Sequence, residues 1–309
     1  MQRKTIQKVI VKNLEAWLES ITDVKLRNRV KPNILLSGGS ITSLFQCQDV
    51  NDYDIYIKDV NVLWELATYY TCRISGIEIL DGRCLPTYRN NLESDYRGQD
   101  IYTINNSYAI AVRTLKPDQI KIFFKDGEHK GGMKIIEPTI HPHYETEPEP
   151  YQLAFLSPNA ISLTNNIQII LRFHGDNEAI HKTFDFIHAT NYFTFETGLV
   201  TNVAALESII TKQLAYQGSL YPLTSIIRMK KFLLRGWSIN AGEILKIMFQ
   251  ISELDLKNPD VLEEQLIGVD VAYFGKLIEV LRGADNQKFT SQYLNEIIDR
   301  VFNQDDSIN

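Results

Sequence analysis

Apolar residues recur along the first twenty-odd positions at helical spacing. Ile6, Ile10, Leu14, Trp17, Leu18 and Ile21 fall on one face, which predicts a single amphipathic helix. The pattern then changes. The stretch NILLSG, Asn33 to Gly38, is short and apolar and is closed by glycine, as a buried strand would be. Ser40 to Gln46 reads as a short helix with Ser40 as its N-cap. YDIYIKD, from Tyr53, alternates and predicts a second strand, and Val60 to Arg73 returns to helical spacing.

Further along, YAIAVRT and QIKIFFK read as paired strands around LKPDQ. The proline- and acid-rich tract from Glu137 to Tyr151 reads as a surface loop. AISL and IQIILRF follow as strands, then a short helix from Asp176 to Lys182, then TFDFIHATNYF as another strand. From Ala204 the pattern is a succession of amphipathic helices separated by turn signals, ending with VAYFGKLIEVLRG and FTSQYLNEIIDRVFNQ. The expected architecture is α+β: a mixed sheet flanked by helices over residues 1–200, followed by an all-α domain over 201–309.

Composition changes this picture little. A chain of 309 residues has room for two cores. A net charge of −6 supplies no global basic field for nucleic acid. The cysteines, Cys47, Cys72 and Cys84, are odd in number and form no CxxC pair, so three unpaired side chains in a reducing compartment are expected. No apolar run is long enough to span a membrane, and the charged amphipathic N-terminus does not read as a secretory leader, so a cytoplasmic protein is expected. His141 and His143, with His129 nearby, lack the further ligands that a zinc set needs.

The chemistry concentrates in one stretch. Gly38, Gly39 and Ser40 make a turn with little side-chain bulk, where backbone N–H groups can approach an anion. One short helix further on come Asp52 and Asp54, whose i, i+2 spacing puts both on one face of a strand. Two carboxylates so placed repel unless a cation lies between them, and oxygen-only ligands suit Mg²⁺. The combination reads as a phosphate cradle beside a metal clamp.

An apolar strand, Gly-Gly-Ser, a short helix and then Asp-x-Asp within a second apolar strand resembles the polymerase-β-type nucleotidyltransferases. The match covers Leu35 to Ile57. In layout the chain is similar to CCA-adding enzymes and poly(A) polymerases, which also carry a helical domain after the catalytic one. The resemblance implies a nucleotidyltransferase sheet and two Mg²⁺ ions, with Mn²⁺ as a substitute. It also implies transfer of a nucleoside monophosphate from an NTP to an acceptor hydroxyl, foremost an RNA 3′ end. Gly38, Gly39 and Ser40 would bind the nucleotide, and Asp52 and Asp54 would hold the metal.

The family also needs a third acid on a neighbouring strand. Asp185, between Phe184 and Phe186, is the expected one. Asp176 looks instead like a helix N-cap. In the helical half, SLYPLTSIIRMKKFLLRGW resembles the segment that follows the catalytic domain in CCA-adding enzymes. Pro222 fits a first helical turn, and Arg228, Lys231 and Arg235 share a face, which makes Arg228 and Arg235 candidates for nucleotide binding. The acid that precedes this proline in the family is absent, so CCA specificity does not transfer. Two other readings stay open: nucleotidylation of a protein or small molecule, and a non-catalytic nucleotide- or RNA-binding protein on the same fold.

Overall fold

This computed structural model describes residues 2–74, 109–115, 118–124, 133–134, 150–256 and 258–266, with 292, 295, 296 and 299. His129, His141, His143, Cys84, nearly all of the acidic loop and most of the last two expected helices lie outside the described residues. By contact the chain divides into two compact units. The first is Met1–Phe184 with His188–Thr211, and the second is Asp185–Ile187 with Lys212–Asn309.

The first unit opens with α1 (Arg3–Ser20), whose buried face is Ile6, Ile10, Leu14, Trp17 and Leu18, as the spacing required. A second helix, α2 (Val24–Asn33), was not legible in the pattern, because it buries only Leu26 and Val30. Asp23 starts it by accepting the N–H groups of Lys25 and Leu26. β1 (Ile34–Ser37) runs into α3 (Gly39–Phe45), then β2 (Tyr53–Ile57) and α4 (Val60–Ile74). β3 (Ala109–Leu115) and β4 (Asp118–Phe124) form the expected hairpin. β5 (Met133–Lys134), β6 (Leu153–Leu156), β7 (Ala160–Leu163) and β8 (Ile167–Ile170) follow. After α5 (Asn177–His181) come β9 (Tyr192–Thr194), β10 (Gly198–Val200) and α6 (Val203–Thr211). Asp176 is the N-cap of α5, where its carboxylate accepts the Ala179 N–H.

Eight strands make one mixed sheet in the order β10-β9-β1-β2-β8-β7-β6-β5. The β2–β8 pair is parallel and the other pairs are antiparallel. Alternation decides which side chains reach which core. Ile34, Leu36, Tyr53, Ile55, Ile57, Ile161, Leu163, Ile167, Ile169 and Phe193 pack with α1, α2 and α4. Leu35, Tyr56, Ile170 and Tyr192 face the other way and pack with Ile180 of α5 and with Phe184.

Trp17 ties two helices together: its Nε1 donates to Tyr70 Oη at 3.0 Å, with both residues buried. Burial pushes the Tyr70 phenol well above its usual value. Trp17→Phe is expected to cost about 1–2 kcal/mol, because a buried hydroxyl loses its partner. Urea unfolding of the two proteins measures it.

Expectations for a strand and for the cysteines fail. TFDFIHATNYF is not one strand. It holds a bend, a short 3₁₀ turn (Ile187–Ala189) and, only at its end, β9. Apolar residues in this stretch serve different cores, so their density mimicked a strand. Cys72, in α4, is disulfide-bonded, and Cys47 keeps its thiol. An odd cysteine count still permits one bridge, so the expectation of three unpaired thiols does not hold for Cys72.

The described part of the second unit is helical: α7 (Pro222–Leu234), α8 (Ala241–Ser252) and α9 (Pro259–Leu266). Pro222 sits in the first turn of α7, as expected. A two-residue parallel pair, β11 (Gln213–Leu214) with β12 (Ser238–Ile239), is the departure from an all-α unit. No described helix is long and apolar enough to cross a membrane.

Candidate active site

The glycine turn is built at the end of β1. Gly38 is the N-cap of α3 with φ +100° and ψ −154°, a conformation essentially confined to glycine. Ser40 therefore lies inside the helix rather than capping it, which corrects the expected boundary by two residues. The turn is pinned by the segment just before β9. Gly38 N–H donates to Ala189 O at 3.1 Å, and Thr42 Oγ1 donates to His188 O at 3.0 Å. The Ser37 hydroxyl donates to Asn191 O at 2.9 Å and stands 2.9 Å from His181 Nε2.

Asp54 lies against this turn. A Cβ built on Gly38 would stand 3.1 Å from Asp54 Oδ2. The same construction on Gly39 meets nothing within 4 Å, so Gly38 carries the steric requirement. Asp52 stands one residue ahead of β2, not within it. It is exposed to solvent, yet partial burial by the protein around it raises its carboxyl above the usual range. Ser40 is 3 % exposed, and its hydroxyl has no hydrogen-bond partner among the described residues. A buried hydroxyl in that state is short of a partner that a ligand could supply.

A polar row extends from Asp54 across the sheet. In β8 the residue paired with Asp54 is Gln168, and in β7 the residue paired with Gln168 is Ser162. Gln168 Nε2 donates to Ser162 Oγ at 3.2 Å. On the other side, continuing the β1–β2 register by one residue sets Ser37 beside Asp54, and Ser37 pairs with Tyr192. The residues on either side of Asp54 in the sheet are thus a serine and a glutamine.

The remaining expected residues lie in the second unit. Asp185 is 6 % exposed and sits in a bend, not on a strand. Its carboxylate accepts the Phe186 N–H at 3.0 Å and an Arg228 Nη1 donor at 2.8 Å. Arg228, on α7, is thus committed to an ion pair within its own unit. Arg235 is the exposed C-cap of α7. Among the described residues no group of three or more His, Cys, Asp or Glu side chains is arranged to hold a metal ion.

A model of the Gabija anti-defense 2 family matches residues 8–212, more than half of the chain and nearly all of the first unit. The chain belongs to the Gabija anti-defense 2 family. A curated relative, Gabija anti-defense 2 of Bacillus phage SPbetaL7, is 24 % identical over 135 residues. That segment is 43 % of this chain and 32 % of the phage protein, so the match spans about a third of the relative's length. Among solved structures, the chain is similar to a Thermotoga maritima CCA-adding enzyme complexed with tRNA, at TM-score 0.37 and 12 % identity, over 86 % of this chain and 54 % of that one. It is also similar to a tRNA-processing enzyme in an apo form, at TM-score 0.33 and 11 % identity, over 86 % of this chain and 61 % of that one. At these TM-scores neither likeness adds to the fold, which rests on the strand order and registers above.

In this Gabija anti-defense 2 family member the sequence pattern did not flag Ser37, His181 or Gln168. Gln168 left a signal, a lone polar side chain inside the apolar strand IQII. His181 left none, because its role comes from packing against Ser37, Phe184 and Tyr192. Burial lowers its imidazole from 6.5 to about 4. The folded family member therefore holds this ring neutral where the unfolded chain would protonate it. Stability is full above the unfolded value and drains away as pH falls from about 6.5 toward about 4. Between pH 7 and pH 5 the expected loss is about 1 kcal/mol, once solvent screening of the half-buried ring is allowed for. Urea unfolding at both values measures it, and His181→Gln should flatten the difference.

Proposed function

We propose that the first unit is a metal-dependent nucleotidyltransferase. It transfers a nucleoside monophosphate from an NTP to an acceptor hydroxyl: the acceptor oxygen bonds to the α-phosphorus, the bond from that phosphorus to the β-phosphate oxygen breaks, pyrophosphate leaves and the hydroxyl proton passes to solvent. The reaction serves to counter the Gabija defence named in the family's description. The observation that carries this reading is the close approach of the Asp54 carboxylate to the side-chain-free face of Gly38. That approach joins an anion-accepting turn to an acid-bearing strand. The unpartnered buried hydroxyl of Ser40 supports it as well.

Asp52 and Asp54 are the residues that would hold Mg²⁺, or Mn²⁺ in its place. When bound, the ion would supply charge stabilisation on the phosphates and a lower pKa for the attacking hydroxyl. The chain's own residues do the rest. Gly38 lets the Asp54 carboxylate lie close against the turn, where a side chain would press on it. Backbone N–H groups of Gly39 and Ser40, with the Ser40 hydroxyl, serve as donors to the terminal phosphates. Ser37, held by Asn191 and His181, keeps the turn in place. The nucleotide contacts expected of Arg228 and Arg235 rest on the resemblance alone, and Arg228 would make one through guanidinium donors other than the Nη1 donor given to Asp185.

Two acceptors follow from different observations. The two-domain layout favours an RNA 3′ end. Membership of an anti-defense family favours a protein component of the defence. One experiment separates them: incubate the purified chain and Mg²⁺ with each labelled NTP, using total RNA in one arm and reconstituted Gabija proteins in another. Label in either arm, lost in Asp54→Ala, supports transfer and names the acceptor. Saturable NTP binding with no label in any arm would replace catalysis with a binding role.

A further inference from the structure

Asp54 has one directly paired neighbour on the parallel strand β8, and that neighbour is Gln168. The two side chains share a face. Tyr53, Ile55, Ile167 and Ile169, which flank them, all enter the core on the α1 side of the sheet. By alternation Asp54 and Gln168 point to the opposite side. Side chains paired in this way stand close enough to share one small ligand. The Gln168 amide nitrogen is engaged by Ser162, which leaves the amide oxygen to serve a ligand. An amide oxygen is a neutral, hard donor of the kind that oxygen-preferring cations accept beside carboxylates.

We propose that Gln168 is the third oxygen donor of this site, beside Asp52 and Asp54, to a divalent cation that arrives with the nucleotide. The inference rests on the nucleotidyltransferase reading and deepens it. The paired neighbours of Asp54 in the sheet are Gln168 and, by the continued register, Ser37, and the Ser37 hydroxyl is taken by Asn191 O. That leaves the Gln168 amide oxygen as the neighbouring donor for the ion.

Mn²⁺ binding to the full chain tests this without reference to activity. Titration calorimetry or Mn²⁺ electron paramagnetic resonance would be run with a non-hydrolysable NTP present. Wild type is expected to bind Mn²⁺ more tightly than the nucleotide does by itself. Gln168→Glu adds a carboxylate, so it should bind about tenfold more tightly, as affinity follows ligand charge. Gln168→Ala should bind a few-fold more weakly, and thermal melts confirm that each variant is folded. Gln168 variants that titrate like wild type while Asp54→Ala loses the metal would overturn the proposal. In that case the metal site itself stands. If Asp54→Ala keeps wild-type affinity, or if neither wild type nor Gln168→Glu binds Mn²⁺, the nucleotidyltransferase reading falls together with the proposal.

Discussion

Asp54→Ala is expected to abolish nucleotidyl transfer while leaving the melting temperature close to that of the wild type. The loss should be about a thousandfold or more, since a bound cation supplies several kcal/mol of transition-state stabilisation. The fold should tolerate the change. Asp54 faces away from the main core, and the neighbours it crowds are the Gly38 backbone and polar side chains. Asp185→Ala run alongside gives a contrast. Its carboxylate is 6 % exposed and holds both a backbone N–H and Arg228. Removing it should therefore lower stability, by about 1–2 kcal/mol once the partial exposure of Arg228 is allowed for. Mn²⁺ affinity should change little. A folded Asp185→Ala protein that loses metal and transfer as fully as Asp54→Ala would make Asp185 the third ligand that the resemblance implies.

Gly38→Ala should damage the fold and the site together. An L residue at φ +100° and ψ −154° is strained by about 1–3 kcal/mol. The added methyl would also press to 3.1 Å from Asp54 Oδ2. Relief means moving the turn, the carboxylate or both, and a displacement of this kind is expected to lower transfer by about a hundredfold. Gly39→Ala is the control. Its methyl meets nothing within 4 Å, so both stability and transfer should remain near wild type. Equal losses in the two variants would mean that the turn is sensitive to bulk in general and that the Gly38–Asp54 approach is not special.

The legible parts of this protein were those with local periodicity. α1 follows from Ile6, Ile10, Leu14 and Trp17, and the β3–β4 pair from two alternating runs on either side of the sequence LKPDQ. Asp54 and Gly38 were legible as a pair because the intervening helix is short and returns the chain to the adjacent strand. Asp185 shows the limit. An acid between two phenylalanines reads as a strand residue, yet it sits in a bend, where Phe184 packs in the first unit and Phe186 belongs to the second. Nothing local distinguishes a strand from a crossing between two cores. α2 was missed for the opposite reason, since its few buried residues leave almost no apolar stripe.

The sequence by itself determined the strongly periodic elements, the glycine that only a turn could use and the spacing that brings an acid back beside it. These depend on backbone sterics and on the repeat of neighbouring residues, which any reader of the chain can count. Tertiary structure alone decided that Gln168 stands next to Asp54, that His181 braces Ser37 and that Arg228 takes Asp185. Those partners are far apart along the chain, and strand register and core packing, acting over the whole fold, choose which of them meet.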